Sequence, residues 1–551
     1  MGIDVTTLVG RRASHRWERC SVGDVFERVA VARPDAEALV GVFGAFSEPG
    51  FERLSYARAD ALANRFAQAL LARGLGRGDR VLFVCDNSVE AFVAKIGVAK
   101  AGCVAVPVNP SQTPDVLAHA LALTEPALVV ADAGCRRLPD AGGLPIDVTI
   151  PIGGPVGPGE TGFREFCAEG SANPPDVDIA ADDIWQILFT SGTTAMPKGV
   201  MISHQYSYLT ALSWALSYTR GLDHESRLRM ACFVPIVFHV GDAAYTMPAL
   251  FTGGSIVLGR RHDVAAVADT IAAERATAVI AGGIELANRL VDVLEARGAA
   301  AVESLTCIVY GLGLPSAAMA ARLQALRPGI SMLGIAGQTE SVPAHRFVAS
   351  AFPEKHAEAL ERHANVVGWP NPLLASKVVD VEDGTDAAPG AVGELVYRSP
   401  VMTAGYYRDE EATRQAFDGG WFHSGDLGST DPGGERLIVG RLKDMIKTGG
   451  ENVAGSRVEA VVAEHPGVDR VAVVGLPDER WGEAVTAVVV PKPGESVVEA
   501  DLIAFARARL AGYETPKRVV VVDDLPTDFV GKVRKYALRE QLIAGAADVG
   551  P

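Results

Sequence analysis

Short apolar runs alternate with helix-spaced apolar residues through the first third of the chain. Residues 81–85 are a continuous run of strand length, Val-Leu-Phe-Val-Cys. Residues 89–101 repeat apolar side chains every three or four positions, the spacing of one helix face. A second strand-like run follows at 104–108, then a helical stretch at 115–123 and another apolar run at 127–131. Such alternation predicts crossover units, and so a mostly parallel sheet with helices on its faces. Residues 139–159 are dense in Gly and Pro, which predicts a surface connection rather than an element. The pattern changes near residue 440. Beyond it lie strand candidates at 471–475, 485–490 and 519–522 and a helix candidate at 501–510, enough for a small separate α+β unit. The predicted class is α/β, with a large N-terminal domain of α/β subdomains at 1–440 and a small C-terminal α+β domain at 441–551.

Composition narrows the function classes. At 551 residues, 48% hydrophobic and 21% charged, the chain reads as a multi-domain globular protein. Lys and Arg number 51 against 67 Asp and Glu, a net charge of −16. That balance repels phosphate backbones and argues against nucleic-acid binding. Seven scattered cysteines without a C-x-x-C pair signal neither a zinc site nor a disulfide framework. No apolar run is long enough to span a membrane. The N-terminus lacks the basic-then-apolar signature of a signal peptide, so a cytoplasmic location is expected.

The strongest local pattern follows the strand candidate 184–189. It runs from Phe189 to Val200 and reads Phe-Thr-Ser-Gly-Thr-Thr-Ala-Met-Pro-Lys-Gly-Val. Glycines such as Gly192 let a backbone approach an anion closely. Successive N–H groups and the hydroxyls of Thr190, Ser191, Thr193 and Thr194 can then surround phosphate oxygens, and Lys198 adds a cation. The stretch is not a Walker A loop: Lys198 is followed by Gly199, and Pro197 stands where that motif needs glycine.

This stretch resembles the phosphate loop of the adenylate-forming superfamily, which includes acyl-CoA synthetases, peptide-synthetase adenylation domains and luciferases. Further motifs recur in the family's order. Gly337-Gln338-Thr339-Glu340 is similar to its Gly-x-Thr-Glu segment, and Trp421 to Asp426 to its Trp-x-x-Thr-Gly-Asp. Gly440 to Asp444 and Lys447 to Asn452 resemble its hinge and the loop after it, and Gly531-Lys532 its catalytic-lysine motif. The resemblance implies an acyl-CoA ligase using ATP, Mg²⁺ and CoA on a small-molecule carboxylic acid. It implies that the loop holds the leaving phosphates, that Glu340 holds Mg²⁺, and that Thr339 donates to the α-phosphate, with Gln338 beside it. Asp426 would accept from the ribose hydroxyls with Arg441 assisting, and Lys532 would bridge carboxylate and phosphate in the transition state. The small domain would be mobile, swinging about a hinge at 441–444 with Lys443 as the pivot. Gly449 and Gly450 would then leave room for the pantetheine arm. Trp481 matches a position that stacks on the CoA adenine in some relatives; an ordinary packing role is the other reading of this residue.

The acyl and adenine pocket implied by the resemblance takes in His239, Gly311, Leu312, Gly313, Ile335, Ala336 and Gly337. Here the sequence departs from the family's pattern. Position 336 is Ala where relatives usually carry an aromatic, Ala195 replaces a loop glycine, and Gly282-Gly283 replaces a bulkier pair. The stretch from Tyr310 to Pro315 is altered as well, and one extra residue precedes His239. Most of these changes remove bulk, so a wide pocket for a bulky hydrophobic acid is expected. Three other readings stand beside this one: a ligase for the thioester step alone, fed acyl-adenylate by a separate enzyme; transfer of the acyl group to a carrier protein; and a non-catalytic nucleotide-binding regulatory module. A homodimer is compatible with all of them.

Overall fold

The computed structural model describes residues 16–136, 146–190, 196–237, 241–342, 344–362, 364–527 and 533–547. Ser191, Gly192, Thr193, Thr194, Ala195, His239 and Lys532 lie outside the described residues. Three sheets organise the rest.

A seven-stranded sheet runs Thr161–Gly162, Val148–Ile150, Leu128–Asp132, Arg80–Val84, Val104–Val108, Ile184–Phe189, Gly199–Ser203. All its pairs are parallel except the last. The predicted strand–helix alternation over 81–131 is this sheet's centre. The stretch 139–159 needs correction, because Val148–Ile150 within it is a fully buried strand. Its three β-branched residues pair with Val130–Asp132, and the Asp147 carboxylate accepts from Val129 N–H at 2.8 Å. The surrounding Gly and Pro residues mask so short a strand, which only tertiary pairing stabilises.

A thirteen-stranded sheet begins with the edge strand Arg53–Ser55, antiparallel to Glu37–Val42, and is parallel from there through Ser255–Gly259, Arg229–Cys232, Ala278–Gly283 and Cys307–Gly311 to Ser331–Ala336. It continues as an antiparallel flank through His345–Val348, Val366–Pro370 and Arg436–Arg441 to Phe422–Thr430, Gly393–Arg398 and Ala375–Val379. One apolar core, with Phe83, Trp185, Trp214, Met230 and Ile256 among its members, joins this sheet to the seven-stranded one.

The helix Val89–Lys100 lies in that core and departs from the one-sided pattern its spacing predicts, since all of its residues are buried. Each charge on it therefore has a partner, as burial demands. Glu90 accepts from Ser47, Lys95 pairs with Asp242 at 2.8 Å, and Lys100 pairs with Asp60 at 2.7 Å.

The chain leaves the large sheet at Arg441, makes a single turn at Leu442–Asp444 and enters a third sheet at Met445. That sheet has five strands, Glu451–Ala454, Met445–Thr448, Gly482–Pro491, Val468–Asp478 and Arg518–Val521, and a core of its own. Cys20, Cys85, Cys103, Cys135, Cys167, Cys232 and Cys307 are all free thiols. No helix among the described residues is long and apolar enough to cross a membrane.

Candidate active site

The loop between Ile184–Phe189 and Gly199–Ser203 is held by a hairpin ladder. Phe189 faces Gly199, and Thr190 N–H donates to Lys198 O at 3.2 Å. The segment 403–407 adds a further rung outside the second strand. Met201 N–H donates to Gly405 O, Tyr407 N–H to Gly199 O at 2.7 Å, and Thr403 Oγ1 to Met201 O at 2.8 Å. The same segment reaches Glu340 twice. Thr403 N–H donates to its backbone carbonyl at 2.8 Å, and Tyr406 Oη–H to its Oε1 at 3.0 Å. The Lys198 ammonium lies 4.5 Å from the centre of the Tyr406 ring, within cation–π reach. One tyrosine thus joins the loop's lysine to the Glu340 carboxylate.

Glu340 sits in a single turn, Thr339–Ser341, just past the end of the strand Ser331–Ala336. Tyr206 fixes that turn, donating to Thr339 O at 2.9 Å and accepting from Val342 N–H at 2.8 Å. Burial raises the carboxyl of Glu340 above the ordinary range, although its backbone N–H, Tyr406, Arg441 and Lys198 all pull the other way. The buried Nε2 of Gln338 finds no partner among the described residues. Across the sheet, Asp426 faces Arg441 on adjacent strands, and Arg441 Nε approaches Asp426 Oδ1 to 2.6 Å. The acid expected at the ribose is thus held by the arginine expected to assist it.

The other end is apolar and made largely of backbone. Gly311 ends its strand beside Ile335: a methyl group on it would stand 3.7 Å from Ile335 O. Leu312 has φ of +60° and is 54% exposed, between Gly311 and a Gly313 whose φ is +143°. Ile335 and Ala336 are half-buried and Gly337 is exposed. Both ends lie at the C-terminal edge of the parallel strands, where open α/β sheets bind ligands.

The family model "AMP-binding enzyme" matches residues 26–407, and "AMP-binding enzyme C-terminal domain" matches 457–532. The chain belongs to this family. It is 34% identical over 509 residues to long-chain-fatty-acid–CoA ligase FadD13 of Mycobacterium tuberculosis, covering 91% of this chain and 95% of that one. It is 33% identical to indoleacetate–CoA ligase of Aromatoleum aromaticum, covering 89% and 93%. It superposes on ATP-bound MatB from Rhodopseudomonas palustris with a TM-score of 0.79 at 28% identity, covering 94% and 98%. The chain is an ATP-dependent acyl-CoA synthetase of the adenylate-forming superfamily, and its cofactors are ATP, Mg²⁺ and CoA.

The donor set of the synthetase fits Mg²⁺. This ion keeps several waters and takes one or two carboxylates together with substrate phosphates, so the one buried carboxylate of Glu340, joined through Tyr406 to Lys198, is adequate. No cluster of three or more acidic, His or Cys side chains exists among the described residues to form an all-protein cage.

Two expectations about the C-terminal part of the synthetase change in emphasis. Gly449 and Gly450 are the two central residues of the hairpin between Met445–Thr448 and Glu451–Ala454, with φ of +60° and +87°. Positive φ at both positions is what a two-residue turn of this kind requires. The turn alone therefore accounts for both glycines. Trp481 is half-buried against it: Gly449 N–H donates to Trp481 O at 2.7 Å, and a methyl on Gly449 would stand 3.0 Å from the ring. Arg480 and Lys517 lie over that ring at 4.7 and 5.4 Å.

Sequence reasoning missed Tyr206, Thr403 and Tyr406. They lie far along the chain from the residues they serve, and only the Gly-Tyr-Tyr at 405–407 offered a local signal.

Proposed function

We propose that this synthetase activates a bulky hydrophobic carboxylic acid as its acyl-adenylate and passes the acyl group to CoA. The observation that carries the reading is the meeting of Lys198, Tyr406, Glu340 and the Asp426–Arg441 pair with an apolar wall at Gly311–Gly313 and Ile335–Gly337. The acids in the names of two relatives, a long-chain fatty acid and indoleacetate, are also hydrophobic.

In this reading Thr190, Ser191, Gly192, Thr193, Thr194 and Lys198 surround the phosphates. Bound at Glu340, Mg²⁺ would neutralise charge on the phosphate oxygens. Thr339 and Gln338 donate toward the α-phosphate, and Asp426 accepts from the ribose once Arg441 shares it. Lys532 steadies the carboxylate as it attacks the α-phosphorus and pyrophosphate departs. The portion 441–551 then turns about Lys443 relative to 1–440. Gly449, Gly450 and Trp481 line the approach of CoA, whose thiol attacks the acyl carbon and expels AMP. His239 and the apolar wall hold the acyl chain. A cytoplasmic setting, where CoA and ATP are abundant, completes the reading.

The test supplies ATP, CoA and a panel of acids, from short dicarboxylic to long-chain and polycyclic, and measures acyl-CoA. Acyl-adenylate with CoA is assayed in parallel. We expect kcat/KM to rise with apolar size in the coupled reaction. Preference for short polar acids overturns the substrate class. Turnover of acyl-adenylate alone overturns the adenylation half.

A further inference from the structure

His119 lies on the helix Pro114–Thr124, which contributes nothing to the site described above. Its ring meets Phe189 edge-on, with centroids 6.2 Å apart and planes at 75°. Its Nε2 lies 3.1 Å from Pro197 O. A carbonyl oxygen can only accept, so Nε2 carries the proton. Phe189 ends the strand that enters the loop, and Pro197 lies two residues before the strand that leaves it. A single imidazole therefore touches both stems from outside the sheet.

The helix is itself anchored to the segment that bears Tyr406. Arg408 donates to Leu123 O at 3.1 Å and pairs with Glu125 at 2.7 Å. Among the described residues, the last rung of the hairpin below the loop is the 3.2 Å bond from Thr190 N–H to Lys198 O, at the long end of the normal range. Among the described residues, this long rung and His119 both bridge the stems at that point.

We propose that His119 is a positioning residue for the nucleotide. It holds the two stems at the separation that aims Thr190 and Lys198 at the phosphates, so that less ordering remains when ATP binds. This rests on the reading above that the loop holds phosphates.

The test uses the full chain. His119→Phe keeps the ring edge against Phe189, His119→Gln keeps a donor near the place of Nε2, and His119→Ala keeps neither. MgATP affinity is measured by calorimetry, thioester formation from supplied acyl-adenylate is measured separately, and melting confirms the fold. His119→Ala should weaken MgATP about fivefold to tenfold, the scale of one or two such contacts, and His119→Gln should stay within about twofold. Conversion of acyl-adenylate should be unchanged in both. Unaltered MgATP affinity in His119→Ala, or equal loss in both half-reactions, overturns the proposal. Lys198→Ala separates the two levels. If it weakens MgATP while His119→Ala does not, only the brace is wrong. If it too leaves MgATP affinity unaltered, the loop is not the phosphate site and the brace falls with it.

Discussion

At one end of the candidate site a carboxylate, Glu340, is wired into the protein; at the other, a leucine, Leu312, is held away from it. Glu340 is buried, takes a hydrogen bond from Tyr406 and lies within the fields of Lys198 and Arg441, yet burial still raises its carboxyl. Leu312 stands in the left-handed region, more than half exposed, with a glycine on either side. Each end carries a conformation or charge that the folded chain would be more stable without. Such residues cluster where a ligand makes use of the strain. The polar end stores it as desolvation of a charge, and the apolar end as backbone geometry and bare apolar surface.

Breaking the polar end should have the largest effect. Glu340→Gln should lower acyl-adenylate formation by about 100-fold or more, the scale of losing a group that stabilises transition-state charge. Its effect on stability should have the opposite sign. A carboxyl raised in the folded state loses stability as pH rises from the unfolded value through the folded one. The neutral glutamine, which can still accept from Tyr406, should therefore melt higher than the parent at neutral pH. Lower melting would show that Glu340 is a structural ion rather than a strained one.

The hairpin offers a comparison in which the turn's own geometry already requires the strain at both positions. Gly449→Ala and Gly450→Ala each force a side chain to positive φ, at about 1–2 kcal/mol each. Only position 449 also meets the Trp481 ring. Gly449→Ala should thus be the more destabilising in thermal melts, and thioester formation should fall further than adenylation in both. Equal melting of the two variants would remove Trp481 from the account.

At the apolar end the effects are smaller. Leu312→Gly should raise stability by up to about 1 kcal/mol by relieving the left-handed leucine. It should weaken acyl-adenylate about fourfold to tenfold, as expected for half of a leucine's burial. Calorimetry and melting together read this trade. A variant that is less stable and binds unchanged would leave Leu312 without a role in the site.

The gentlest probe is pH. His204 begins the helix that follows Gly199–Ser203, at the end of that strand away from the loop, and His345 pairs with Ala336 at the apolar end. Burial holds both imidazoles down to about 3, aided in His345 by Arg436. Since the unfolded chain binds their protons first, stability is complete above about 6.5 and declines as pH falls toward 3, with a slope of up to about 1.4 kcal/mol per pH unit for each. His345→Gln should flatten half of that slope in melts taken between those limits. An unchanged slope would place the acid sensitivity elsewhere.

Much of this protein was legible in one dimension. The central strands and helices of the seven-stranded sheet follow from apolar spacing, because period and run length are local properties. The strand at Val148–Ile150 was not legible, being too short to stand out from its Gly and Pro neighbours. Glu340, Asp426 and Lys198 could be singled out as candidates because each stands in a motif of fixed residue types in fixed local order. Tyr406 and His119 could not, since each acts across sheet and helix contacts formed by residues dozens to hundreds of positions apart.

The sequence by itself determined the family, the class of reaction and the motifs in which Lys198, Glu340 and Asp426 stand, all of which depend on short-range order. The tertiary structure alone decided that Tyr406 joins Lys198 to Glu340, that Arg441 holds Asp426, and that His119 grips both stems of the loop. It also decided that the glycines at 449–450 answer first to their own turn. These are matters of distance and backbone angle, which exist only once the strands have paired and the helices have packed on them.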